Sequence, residues 1–197
     1  MSAPRTLLQL ANAPLAPASI DKACLVLIDI QNEYLAGPIA VAAPETAIGQ
    51  AMQLLMSARS RGAPVIHVVH RGRPGGLFDR DAPRGQSVEA VAPIDREVLV
   101  EKTLPNAFAK TDLQAHIERG GRKELIVAGF MTHMCVSSTV RAALDLGYRC
   151  TVAADACGTR DLPDIAGGVL TADVIHRVAL AELADRFAIV SSTRELI

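Results

Sequence analysis

The sequence has no tryptophan, two tyrosines and four phenylalanines among 197 residues, an aromatic fraction of 3%. Half of the residues are nevertheless hydrophobic, so the core must be aliphatic and rich in alanine. An excess of charge of one sign is also missing: 20 Lys and Arg stand against 21 Asp and Glu, and no dense basic run occurs. Without a general positive field, nucleic acid and anionic membrane are not expected partners. No apolar stretch approaches the ~20 residues that a membrane-spanning helix needs. The patch Leu7 to Ala11 is interrupted by Gln9 and followed by Asn12 and Pro14, too weak for the apolar part of a secretory leader. Cys24, Cys135, Cys150 and Cys157 show no CxxC spacing, and reduced thiols in a cytoplasmic protein are expected.

What is present is an alternation of two periodicities. Ala23 to Ile30 and Leu125 to Ala128 are short, continuous apolar runs, which suits parallel strands covered on both faces. Val65 to His70, Val98 to Glu101, Arg149 to Ala154 and Ala188 to Val190 also read as strands. Helix-like segments lie between them at Glu45 to Arg61, Thr111 to Arg119, Met134 to Leu146 and Leu170 to Asp185. The expected fold is α/β, a Rossmann-like three-layer α/β/α sandwich around a mostly parallel sheet of about six strands. The length suits one domain over residues 1–197, with the Ala- and Pro-rich residues 1–20 as an N-terminal arm. Residues 71–97 are rich in Gly, Pro and Arg without periodicity, and a loop of that length is expected to roof a pocket or to reach a neighbouring subunit.

In an open parallel sheet, ligands bind beyond the carboxyl ends of the strands. Three polar residues end apolar runs there. Asp29 closes the first strand, where desolvation raises a carboxyl into the range of a usable base, although strand-end Asp also serves simply as a turn cap. Lys102 ends Val98 to Glu101 and can direct an ammonium into the cleft, or be an ordinary solvated lysine. Cys135 lies in GFMTHMCVSSTVRAALDLG, where a strand turns into a helix whose N-terminus stabilises a thiolate. Cys24 and Cys150, inside apolar strands, read as inert core thiols, and Cys157 as a spare thiol at the rim.

Together, Asp29, the Lys102 that precedes Pro-Asn-Ala-Phe, and Cys135 after GFMTHM resemble the isochorismatase-like cysteine hydrolases, over roughly residues 20–190, and the later DACGTRD fits them as well. The resemblance implies Cys135 as nucleophile, Asp29 as general base and then acid, and Lys102 as the cation holding both in register. It also implies a cis peptide at Phe130 and Met131, an oxyanion hole from the backbone N–H groups of Met131 and Cys135, and self-association as a dimer or tetramer. The Asp-x-His metal motif of nicotinamidases is absent, since that region reads HVVHRGRPGGLFD. No metal and no cofactor are expected, and His67 and His70 fall on opposite faces of a strand.

The expected substrate is a small amide, ureide or carbamoyl compound, with Tyr34, His70, Phe78, Asn106, Phe108, Thr132 and His133 as pocket residues by position. Arg71 and Arg73 could attract a substrate carboxylate but read equally well as solvated. Three alternatives stay open: a vinyl-ether hydrolase of the true isochorismatase type, a catalytically silent binding protein with the same fold, and a redox thiol protein pairing Cys135 with Cys157.

Overall fold

The computed structural model describes residues 3–197. Residues 1 and 2 of the expected arm lie outside the described residues. The elements run α1 (Leu7–Leu10), β1 (Ala23–Ile28), α2 (Pro44–Arg61), β2 (Val65–His70), β3 (Val98–Lys102), α3 (Leu113–Arg119) and β4 (Glu124–Phe130). A π-helical turn (Thr132–Val136) leads into α4 (Ser137–Asp145) and β5 (Arg149–Gly158). A small hairpin, β6 (Leu162–Pro163) and β7 (Val169–Leu170), precedes α5 (Ala172–Arg186) and β8 (Ala188–Ser191).

Among the described residues the main sheet has six strands in the order β3-β2-β1-β4-β5-β8. Every pairing in it is parallel, as the continuous apolar runs predict. The six residues of β1 are all buried and feed the two faces alternately. Ala23, Leu25 and Leu27 pack with Ala47, Ala51, Leu54 and Leu55 of α2. Cys24, Val26 and Ile28 pack with Leu113, Ile117, Val140, Ala143 and Leu183 of α3, α4 and α5. This is the expected three-layer sandwich. Small side chains such as Ala51 and Ala143 let the helices lie close to the sheet, which is how a chain poor in aromatics still fills its core.

Several boundaries differ from the sequence expectation. β1 stops at Ile28 and not Ile30, because Asp29 takes a left-handed backbone with φ 52°. β5 runs on to Gly158, and its pairing with β4 shifts register between Val127 and Gly129. The helix expected from Met134 begins as the π-helical turn, with regular α-helix only from Ser137. The arm contains α1, capped by Thr6 and anchored where Leu7 N–H donates to Asp185 Oδ1 at 2.8 Å. No helix among the described residues is long and apolar enough to cross a membrane.

Candidate active site

The strand order reverses between β1 and β4, so a crevice opens beyond their carboxyl ends. Asp29 follows β1, Lys102 ends β3 and Cys135 lies in the turn after β4. Lys102 Nζ stands 2.6 Å from Asp29 Oδ2 and 3.4 Å from Cys135 Sγ. Its third neighbour is His70 Nδ1, at 3.3 Å. Asp29 is 0%, Lys102 1% and Cys135 4% exposed, so the three sequence-predicted residues meet in a dry site.

Local backbone makes this meeting possible. The left-handed Asp29, a conformation costing of order 1–3 kcal/mol for a residue other than glycine, is held by its N–H bond to Val68 O at 2.8 Å. Opposite it, Gly129 has φ 126°, and a Cβ there would lie 2.0 Å from Ile28 O, so only glycine lets β4 pass β1 at this point. β4 then ends at Phe130, whose peptide bond to Met131 is cis. Thr132 Oγ1 donates to Gly158 O at 3.1 Å and lies 2.9 Å from His176 Nδ1. His133 Nδ1 lies 2.6 Å from Thr159 Oγ1. Thr132 and His133 thus tie the turn that carries Cys135 to the end of β5 and to α5.

One cation serves two acids. Burial raises the Asp29 carboxyl, and Lys102 and the neighbouring thiol pull it partly back. Burial pushes the Cys135 thiol up to about 12, with the Asp29 charge adding to it and Lys102 opposing. A buried site with a single positive charge favours one negative charge over two, so Asp29 and Cys135 compete for Lys102. Burial and the Asp29 charge thus oppose the thiolate that a helix start favours. The regular helix starts close by, at Ser137.

The segment after Asp29 braces the site through two polar residues, Gln31 and Glu33, that carry no local sequence signal of such a role. The Gln31 amide, 0% exposed, accepts from His70 N–H at 2.8 Å and donates to His70 O at 3.0 Å and Gly85 O at 2.7 Å. The buried Glu33 carboxylate accepts from Phe78 N–H at 2.9 Å and pairs with Arg84. The Phe78 ring centroid consequently lies 5.1 Å from that of Tyr34 and 5.0 Å from that of His70, while Tyr34 meets Phe130 at 5.6 Å. The long loop thus packs over its own chain's site. Tyr34, His70 and Phe78 are gathered beside Asp29, Lys102 and Cys135, and the Tyr34 phenol is raised by burial and by the charges of Asp29 and Cys135. His70 is lowered to about 4, by burial and by the Lys102 charge.

Other candidates are held by contacts of their own. Asn106 closes its own turn, accepting from Phe108 N–H at 2.9 Å, and Ala107 N–H donates to Thr139 Oγ1 at 3.0 Å, which draws the segment toward α4. Phe108 stacks on Tyr148 at 6.0 Å as part of the core. Cys157 is no rim thiol: β5 continues past Ala154 and leaves it 5% exposed, with burial pushing its thiol up to about 12. Cys24 and Cys150 are buried core thiols, as read. His67 is structural, 2.9 Å from Glu97 Oε2, and Glu97 is also gripped by Arg59 at 2.8 Å. Arg71 is occupied by Glu101, at 2.5 and 2.9 Å, and so is not free for a substrate.

Arg160 was passed over in the sequence although it follows β5, whose carboxyl end neighbours that of β4. The strand-end rule that singled out Asp29 applies to it equally. Its Nε is buried with no acceptor among the described residues. Its charge reaches both Tyr34 and His133.

Known proteins share this architecture. The crystal structure of an isochorismatase from Pseudomonas putida superposes with a TM-score of 0.96 at 43% identity, covering 99% of this chain and 100% of that one. An uncharacterised isochorismatase family protein, YddQ of Bacillus subtilis, is 38% identical over 88% of this chain and 97% of its own. The maleamate amidohydrolase of Pseudomonas putida is 30% identical over 71% of this chain and 73% of its own. The sequence profile of the isochorismatase domain matches residues 23–195, and the chain therefore belongs to the isochorismatase family of hydrolases.

Proposed function

We propose that the chain cleaves a C–N bond of a small amide, ureide or carbamoyl compound through an acyl-thioester on Cys135. The observation that carries this reading is a lysine ammonium within reach of both a carboxylate and a thiol in a buried site. In such a site the Cys135 proton passes to Asp29 as sulfur bonds the substrate carbonyl carbon, and the carbonyl electron pair becomes an oxyanion. The total charge of the triad and the attacked carbonyl does not change during this step, so its low dielectric imposes no extra penalty. The backbone N–H groups of Met131 and Cys135 are the proposed donors to the oxyanion, a role whose loss costs about a hundredfold or more in rate. Asp29 then gives its proton to the departing nitrogen as the C–N bond breaks. Water, deprotonated by Asp29, attacks the thioester; the acid leaves and the proton returns to sulfur.

Amide chemistry is supported by the likeness to an amidohydrolase over most of both chains. Arg160 points to an anionic group on the substrate, because a buried guanidinium nitrogen without an acceptor is costly until something fills it. Tyr34 and Phe78 are the proposed walls. A panel of small amides, ureides and carbamoyl compounds, each with and without a carboxylate, tests the reading. Turnover should favour the carboxylates and vanish in folded Cys135→Ala and Asp29→Asn variants. Retained turnover in Cys135→Ala contradicts it.

A further inference from the structure

Lys102 is enclosed, and its ammonium has three N–H bonds to place. Two have the proposed chemistry within reach, the Asp29 Oδ2 ion pair at 2.6 Å and Cys135 Sγ at 3.4 Å from Nζ. The third has His70 Nδ1 at 3.3 Å. Because an ammonium only donates, Nδ1 must present its lone pair, which places the single proton of the neutral ring on Nε2. The lysine alone fixes the tautomer.

His70 is also unusually well held. Its backbone N–H and C=O are both taken by the Gln31 amide, at 2.8 and 3.0 Å. It sits directly opposite Lys102 in the β2–β3 register, and its ring packs against Phe78 at 5.0 Å. A side chain braced in this way serves as a fixed acceptor. A lysine stem has four rotatable carbons, and two acceptors at unequal distances leave its ammonium free to turn toward the nearer carboxylate; a third acceptor removes that freedom.

We propose that His70 is a positioning residue, a neutral Nε2–H imidazole that takes the third N–H of Lys102 and so keeps the ammonium directed at Asp29 and Cys135 together. The proposal rests on the reading of Lys102 as the cation of the site, but its first test does not depend on catalysis. Nitrogen-15 spectra of the full-length chain, assigned with His70→Asn, should show His70 as a neutral ring with the proton on Nε2 at pH 6. A protonated Nδ1 there overturns the proposal, whether or not Cys135 proves to be a nucleophile.

The second readout is the rate of Cys135 alkylation by iodoacetamide. His70→Leu, which keeps bulk and loses the acceptor, should slow it by about tenfold, the size expected for one lost buried hydrogen bond. His70→Asn, whose side-chain oxygen can stand where Nδ1 stood, should stay within about threefold of the unmodified chain. Equal slowing in the two variants, with both folded by circular dichroism, would assign His70 to packing and overturn the proposal. If Cys135 of the unmodified chain does not label selectively, the proposed function fails instead, and the tautomer still decides the role of His70.

Discussion

Replacing Lys102 by methionine should cost little stability at about pH 4 and about 3–5 kcal/mol at about pH 8. Methionine keeps most of the stem's volume and removes an ammonium that lies 2.6 Å from Asp29 Oδ2, where both side chains have 0% exposure. Stripping one partner from so dry an ion pair costs about 3–5 kcal/mol if the other charge stays. Asp29 can avoid part of this loss by taking up a proton, since burial already raises its carboxyl above the ordinary 3.8. A carboxyl raised in the folded state loses stability as pH climbs from its unfolded value toward its folded one, and removing the lysine extends that window upward. The penalty must therefore grow with pH. Asp29→Asn combined with Lys102→Met leaves no buried charge and should recover most of the loss. Urea unfolding of both single variants, the double variant and the parent at the two pH values measures all of it. Equal penalties at the two pH values, or a double variant as unstable as the sum of its parts, refute the electrostatic account.

Other parts of the structure make separate predictions. Glu33→Gln frees both Arg84 and the Phe78 backbone, and should make the 72–85 segment more sensitive to limited proteolysis while the melting temperature of the chain falls only slightly. Cys24, Cys135, Cys150 and Cys157 are all pushed from 9.0 up to about 12 by burial. Folded thiols raised in this way hold their protons, so stability should drop from about pH 9 upward by roughly 1 kcal/mol per thiol per pH unit; a flat urea midpoint between pH 9 and 10 contradicts it. The Glu97 carboxyl is desolvated, yet Arg59, the Ile94 N–H and His67 hold it down to about 2. It should therefore contribute about 2–3 kcal/mol above its ordinary value of 4.5, lost as pH falls toward 2, and Glu97→Gln should lack that part of the acid transition.

The layered fold was legible because buried parallel strands impose continuous apolar runs, and the ends of those runs mark the crevice. That rule singled out Asp29, Lys102 and Cys135 as candidates, and the motifs around them, through the family resemblance, joined them into one site. The errors have local causes. Periodicity carries no information about φ, so the left turn at Asp29 was invisible and β1 was read two residues too long. The displaced register of β5 opposite Gly129 moved Cys157 from an expected rim into the core. Asn106 and Phe108 follow Lys102 in sequence, and their turn is held by Thr139 and Tyr148, partners that position along the chain does not reveal. Gln31 and Glu33 read as ordinary polar residues of a turn, and their importance comes from partners more than forty residues away at Gly85, Phe78 and Arg84, which no local pattern encodes. The two-residue strands β6 and β7 are too short to carry a periodic signal.

Site-resolved alkylation tests the central claim, that Asp29 delivers Cys135 as a nucleophile from a buried, protonated resting state. The unmodified chain and Asp29→Asn are treated with iodoacetamide near neutral pH, and each cysteine is followed by mass. The account predicts that Cys135 labels ahead of Cys24, Cys150 and Cys157, and that Asp29→Asn slows it by about a hundredfold, as loss of a general base should. Labelling of Cys135 no faster than that of the three core thiols, or equally fast with and without the Asp29 carboxylate, contradicts it.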